Sequence, residues 1–270
     1  MARRSITGLR AIVTGASSGI GRALVVELIR DGACVVGMAR RKERLQELET
    51  ELADLGTPQR AFPTAPQRFA WIVGDVTSRG DRAAAIDLCR QRYGGLDCLV
   101  NNAGFGALGP FAEADEARLR QIFEVNFFAA AEFVCESLPH LRQGKTPIIV
   151  NVGSVLGHFA VPGKSEYCAS KFALHGLSDA LRIELNREGI DVLLVSPSTT
   201  SSEFFDVAIG EREVSASRFG AMTPESVARR IVRAIRQGRR EIILSAGGTL
   251  LVWLDRLCPP LAQWIISRWL

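Results

Sequence analysis

The chain has 270 residues, 47% of them hydrophobic and 23% charged, a globular composition that excludes a disordered polypeptide. Lys and Arg number 33 against 29 Asp and Glu, a net charge of +4 with scattered basic residues, which argues against a nucleic-acid-binding surface. Six cysteines without a CxxC pair, no apolar leader before the first strand and no apolar run of about 18 residues suggest a cytoplasmic protein with free thiols and no membrane span.

In chain order, short Val- and Ile-rich runs at 10–15, 33–38, 69–74, 96–101, 147–152, 190–196 and 241–245 read as buried strands. Helical patterns fall between them. Ile20, Leu24, Leu28 and Ile29 give one apolar face, Leu45, Leu48, Leu52 and Leu55 a second, and Ala84, Leu88 and Cys89 a third. Residues 116–141 are long enough for two consecutive helices, 172–188 make one more, and 224–237 start with a Thr-Pro cap. Right-handed crossovers then build a single Rossmann-type, doubly wound α/β domain, with a seven-stranded parallel sheet and helices on both faces. The Pro-rich stretch at 56–68 only links a helix to a strand. The domain is expected over 1–248, with 249–270 an apolar extension.

The first strand exits into TGASSGIG, residues 14–21. Gly15 permits a tight turn, Gly19 lets backbone approach a pyrophosphate, and Gly21 allows close helix–strand packing. Ser17, Ser18 and Ile20 complete a dinucleotide-binding loop between strand and helix, the context such a motif requires. The second strand ends in Ala39, Arg40 and Arg41 without a carboxylate. An acid there binds the ribose hydroxyls of NAD, whereas an arginine fork suits a 2′-phosphate, so the expected cofactor is NADP (NADPH). Arg22 is positioned to assist. Asp75 and Val76, after the third strand, are placed for the adenine, with Asp75 also suited to cap a helix.

The fourth strand leads into Asn102, Ala103 and Gly104, and the fifth ends at Ser154. Tyr167 and Lys171 follow at an i, i+4 spacing, which on a helix puts both on one face, about 5–6 Å apart at Cβ. Carbonyl reduction needs a proton donor at oxygen while hydride reaches carbon. A phenol with its ordinary pKa near ~10 exchanges protons slowly at neutral pH, and a neighbouring ammonium lowers it. A serine hydroxyl can orient the carbonyl oxygen.

Together TGASSGIG, the GDV after the third strand, NNAG, Glu124–Val125–Asn126, Ser154 and the YxxxK at 167–171 resemble the short-chain dehydrogenase/reductase family, in order over residues 10–200. The 13-residue separation of Ser154 and Tyr167 also fits. The resemblance implies that Tyr167 is the general acid and base, and that Lys171 lowers its pKa and binds the nicotinamide ribose. Ser154 would position the carbonyl. Asn126 would hold a water linking Lys171 to solvent. Asn102, Ala103 and Gly104 would line the cofactor. After the sixth strand the family shows Pro-Gly; here Pro197 is kept and Ser198 replaces the glycine, followed by Thr199 and Thr200, with cofactor contacts expected from this loop. The resemblance also implies a homodimer or homotetramer through the helices near 116–141 and 172–188.

Substrate-facing segments are expected at 155–160, including His158, at Phe105, Gly106 and Leu108, and at 202–222 with Phe204 and Phe205 as a lid. Such walls suit a hydrophobic ketone, aldehyde or secondary alcohol. The competing readings are a catalytically silent cofactor-binding protein and a membrane-surface scaffold. The second rests on the tail, where three of four tryptophans, Trp253, Trp264 and Trp269, fall in the last 18 residues, in two short apolar segments split at Pro259–Pro260. The tail suits peripheral membrane contact, a partner subunit or a cover over the substrate pocket.

Overall fold

The computed structural model describes residues 4–54, 65–200 and 221–269. Nearly all of the expected lid at 202–222 and most of the 56–68 link lie outside these residues. Seven strands form one fully parallel sheet: β1 (Arg10–Thr14), β2 (Cys34–Ala39), β3 (Phe69–Val73), β4 (Cys98–Asn101), β5 (Ile148–Val152), β6 (Asp191–Ser196) and β7 (Glu241–Ile243). Their spatial order is β3-β2-β1-β4-β5-β6-β7. The helices are α1 (Gly19–Arg30), α2 (Lys42–Asp54), α3 (Ala65–Arg68), α4 (Arg79–Tyr93), α5 (Glu116–Phe123), α6 (Ala129–Leu141), α7 (Ser165–Glu184), α8 (Pro224–Gln237), α9 (Ala246–Leu257) and α10 (Pro259–Trp269).

Alternation along each strand decides which layer a side chain enters. In β1, Ala11 and Val13 pack with Leu24 and Leu28 of α1, Leu45 and Leu48 of α2 and Ile231 of α8. Ile12, between them, points the other way, toward Ile86 of α4 and Phe133 of α6. Ile148 and Val150 of β5 repeat the pattern on the first face and Ile149 on the second. Both faces are therefore covered, the doubly wound arrangement. Helix starts carry their own side-chain caps: Ser78 accepts from Asp81 N, Asp115 from Arg118 N, and Thr223, ahead of Pro224, from Ser226 N.

Two local differences from the expected elements matter for function. The run 116–141 is one continuous helical stretch whose middle, Glu124–Phe128, is a π-helical turn rather than a break between two helices. Such a turn wedges in an extra residue and re-aims side chains. Here it buries Asn126. The helix expected from 172 starts seven residues earlier, at Ser165, and so carries both Tyr167 and Lys171.

Candidate active site

Strand order reverses at β1, which pairs with β2 on one side and β4 on the other. The chains leaving β1 and β4 diverge to opposite faces and open a crevice at the C-terminal edge of the sheet. A cavity of about 570 Å3 occupies it, walled by the segments that leave β1 to β6.

The glycine turn is tightly made. Gly15 has φ +68°, and a Cβ there would sit 2.8 Å from Asn102 Nδ2; a Cβ on Gly21 would overlap the Gly15 carbonyl oxygen and the same amide. Thr14 Oγ1 accepts from the backbone N–H groups of Asn102 and Ala103, each at 2.9 Å, and Asn102 Nδ2 donates to Thr14 O at 2.9 Å. These bonds fasten the exit of β1 to the exit of β4. Gly15, Ser17, Ser18, Gly19 and Ile20 line the cavity, and Gly21 stands behind them, holding α1 against the turn. No side chain caps α1 at Ser18, so its first N–H groups face the crevice as a phosphate site would require. A backbone cradle without Cβ atoms and a helix N-terminus fit a dinucleotide.

At the end of β2, Arg41 donates to Ser17 Oγ through Nε at 3.3 Å and Nη2 at 3.2 Å. Arg40 is 76% exposed in its side chain, with Nη1 3.9 Å from Asp75 Oδ2. Arg22 turns away, to Glu51 of α2. Asp75 and Val76 are on the wall. Asp75 is not the cap of α4: its Oδ1 accepts from Thr77 N and Oγ1, and Ser78 caps the helix. Pro197, Ser198, Thr199 and Thr200 line the cavity beyond β6. Ser198 stands where the glycine was expected without a positive φ, so the substitution costs no backbone strain.

Ser154, Tyr167 and Lys171 converge on the same wall, with Ala103 and Gly104 beside them. Ser154 begins a tight helical turn, Val155–Gly157, its Oγ accepting from Leu156 N at 3.1 Å. Lys171 is buried, its Nζ donating to Val152 O at 3.1 Å and lying 5.7 Å from the centre of the Tyr167 ring. The expected depression of the tyrosine by the lysine is not what this geometry gives. Burial pushes the phenol up to about 12, with the hydrogen-bonded Ser154 pulling the other way. Burial also pushes Lys171 down to about 8. For both groups, removal from water is the largest cause of the shift.

Asn126 lies behind this wall, not in it. Its Oδ1 accepts from Phe105 N at 3.1 Å, and its Nδ2 donates to Phe105 O at 3.0 Å and Ser170 Oγ at 3.1 Å. Ser170 Oγ in turn donates to Tyr167 O at 2.8 Å. The π-helical turn thus braces both the NNAG loop and the first turn of α7. Gly104 fits between Asn126 and Lys171: a Cβ on it would lie 2.9 Å from Asn126 Oδ1 and 3.5 Å from Lys171 Nζ.

The substrate end departs more from expectation. Phe105, Val155, Leu156 and Phe159 reach the cavity, but His158, Gly106 and Leu108 do not. His158 points into the protein, to Ser196 Oγ at 2.9 Å. Gln121, Val125, Val161 and Lys164 line the cavity without having been expected there, and Leu251 lines it from the tail, one of whose expected places was a cover over the substrate pocket. Lys164 precedes the first residue of α7, so a correct helix start was the one signal available for it; nothing local marks the others. Leu251 and Gly248 belong to α9, whose Val252 packs with Val155 and Phe159, joined by Ile266 of α10.

The family model described as short chain dehydrogenase matches residues 10–211. A dehydrogenase/reductase SDR family protein 7-like of Anopheles gambiae is 30% identical over 98% of this chain and 84% of the relative. An 11-beta-hydroxysteroid dehydrogenase A of Sesamum indicum is 32% identical over 96% of this chain and 75% of the relative. A short-chain dehydrogenase structure from Streptomyces avermitilis is 31% identical, with a TM-score of 0.77 over 96% of this chain and 97% of that one. With its motifs gathered on one crevice of a seven-stranded parallel sheet, the chain belongs to the short-chain dehydrogenase family of oxidoreductases.

Proposed function

We propose that the protein is an NADP(H)-dependent oxidoreductase that interconverts a carbonyl and a secondary alcohol on a hydrophobic small molecule. The observation that carries this reading is the convergence of Ser154, Tyr167 and Lys171 on the cavity that also holds the glycine turn. Bound nicotinamide dinucleotide supplies or accepts the hydride. Tyr167 donates its phenolic proton to the substrate oxygen in reduction and takes it back in oxidation; burial keeps it protonated, the form reduction uses. Ser154 orients the carbonyl oxygen through a hydrogen bond. Lys171, a cation below its pKa of about 8, favours the phenolate once the proton has left and holds the nicotinamide ribose. Asn126, whose side-chain amide is taken up by Phe105 and Ser170, supports the wall behind Lys171 rather than holding a water with that side chain.

Arg40 and Arg41 at the end of β2, with no carboxylate beside them on that strand, support a 2′-phosphate and hence NADP. Leu156, Phe159, Val161 and Leu251 support a lipid- or steroid-like ketone, in keeping with the steroid dehydrogenase names among the relatives. Residues 1–248 form the dehydrogenase unit. The extension at 249–270 covers the substrate end, and its exposed Leu250, Trp253, Leu257 and Trp264 offer a peripheral membrane contact. Among the described residues, no helix is long and apolar enough to cross a membrane. Phe128, Phe172 and Ile183, exposed on the long helical stretches, support a homodimer or homotetramer. Six unbridged cysteines suit a reducing cytoplasm.

The test is NADPH consumption followed by absorbance against a panel of hydrophobic ketones and aldehydes. Tyr167→Phe should lower turnover by about 10²–10⁴-fold and leave NADPH binding intact. Full turnover in that variant would sink the assignment.

A further inference from the structure

Behind the catalytic wall, three side chains from separate elements meet. His158 follows the tight turn that Ser154 begins, His175 lies two turns beyond Tyr167 on α7, and Glu241 opens β7. One ligand atom from each lies within 4.8 Å of the others, and His158 is buried. His158 Nε2 and Glu241 Oε1 are 3.3 Å apart. That is the separation of two donors on one tetrahedral zinc-type ion, about 3.3 Å for metal–ligand bonds of ~2.0–2.1 Å.

The surrounding bonds fit that use. His175 Nδ1 lies 2.9 Å from Gly157 O. A carbonyl only accepts, so Nδ1 carries the proton and Nε2 keeps its lone pair, the orientation usual for metal-ligating histidines. His175 Nε2 faces Asp179 Oδ2 at 3.4 Å, a second carboxylate at the rim. Glu241 Oε1 is buried and accepts no hydrogen bond, which costs free energy unless a cation or proton answers it. Two groups already answer His158: Arg256 of α9 has Nη2 3.5 Å from Nδ1 and Ser196 Oγ lies 2.9 Å from Nε2, so an ion at Nε2 displaces the serine and moves the ring proton to Nδ1. Arg256 is exposed and rests on the Trp253 ring, so it can turn outward.

We propose that His158, His175 and Glu241 bind one divalent first-row transition ion of the zinc type. Two imidazoles and a carboxylate suit such an ion and not magnesium or calcium. The ion would join the turn after Ser154, the helix of Tyr167 and the strand that leads into α9. It takes no part in the proton and hydride chemistry, so it stands or falls independently of the proposed activity.

The experiment uses the untagged full-length chain, stripped with a chelator and titrated with zinc chloride. One ion per chain and a rise in melting temperature are expected. His175→Asn and Glu241→Gln should each weaken uptake about tenfold or more. Replacing the two exposed thiols, Cys135→Ser and Cys258→Ser, should leave uptake unchanged. No uptake by the wild type, uptake that survives both ligand substitutions, or uptake lost with the cysteines overturns the proposal. Should a ligand variant fail to fold, X-ray absorption of the zinc-loaded wild type decides: nitrogen and oxygen neighbours support the site, sulfur neighbours refute it.

Discussion

At one end of the cavity the walls are largely backbone. The Gly15 turn, the loop of Asn102–Gly104 and the uncapped start of α1 are fixed by strand pairing and by the bonds that Thr14 makes across the sheet. At the other end the walls are side chains: Gln121 from α5, Val125 from the π-helical turn, Lys164 ahead of α7, and Leu251 from α9. The first end holds its shape because moving it means moving the sheet. The second can be rewritten residue by residue with the sheet untouched, and it is the end to which the proposed function assigns the substrate.

The largest effect on stability is expected where the two ends meet, at Lys171. Its pKa is about 8 in the fold against 10.5 in an ordinary lysine. Between those values the unfolded chain holds a proton that the folded chain has released. Stability from this group therefore rises with pH from 8 to 10.5 and is lowest below pH 8, a span on the order of 3 kcal/mol. Tyr167 has the opposite sign, and its contribution falls only above pH 10, because its folded pKa is raised to about 12. Urea midpoints of wild type and Lys171→Met should diverge least at the top of the 8–10.5 window, with the variant the more stable at neutral pH. Parallel curves across the window would mean that the lysine is not buried as a strained cation.

The next effect isolates the cofactor end. Arg40→Asp with Arg41→Asp should raise the NADPH KM by about 10- to 100-fold, since charge-assisted bonds contribute roughly 1.5–3 kcal/mol each and Arg40 is largely solvated. NADH should gain relative to NADPH, and the carbonyl KM should stay put. An unchanged nucleotide preference would remove the arginines from the 2′-phosphate.

The contrast between the ends also explains what could be read from the amino-acid order. Short runs of Val and Ile bounded by glycine mark parallel strands, and a glycine turn between strand and helix reports its own geometry, because Gly15 and Gly21 are demanded by atoms a Cβ would strike. Tyr167 and Lys171 were legible through their i, i+4 spacing even though the helix start at Ser165 was not. Asn126 was legible as a motif, yet its place behind the wall depends on a π-helical turn that no periodicity announces. His158 falls in a segment expected to face substrate, where a lone histidine is more often a bystander, and the chain direction after the turn at Val155–Gly157 sends it inward. The tail tryptophans were visible as a cluster. That Leu251 rather than Trp253 reaches the cavity follows from which face of α9 meets Val155 and Phe159, a tertiary fact.

The smallest effect isolates the substrate end. Leu251→Val removes one methylene from the wall at a distance from the glycine turn, and a methylene contributes about 0.8 kcal/mol when buried against a ligand, or about fourfold in affinity. The carbonyl KM should rise by about that factor with the NADPH KM and turnover unchanged, measured with one hydrophobic ketone at saturating cofactor. Leu250→Val, one residue earlier and outward-facing at 69% exposure, should do nothing to either constant. If both variants behave alike, α9 is not a wall of the pocket. If Leu251→Val raises both KM values together, the two ends are mechanically coupled through the tail, and the division drawn between a rigid cofactor end and a replaceable substrate end fails.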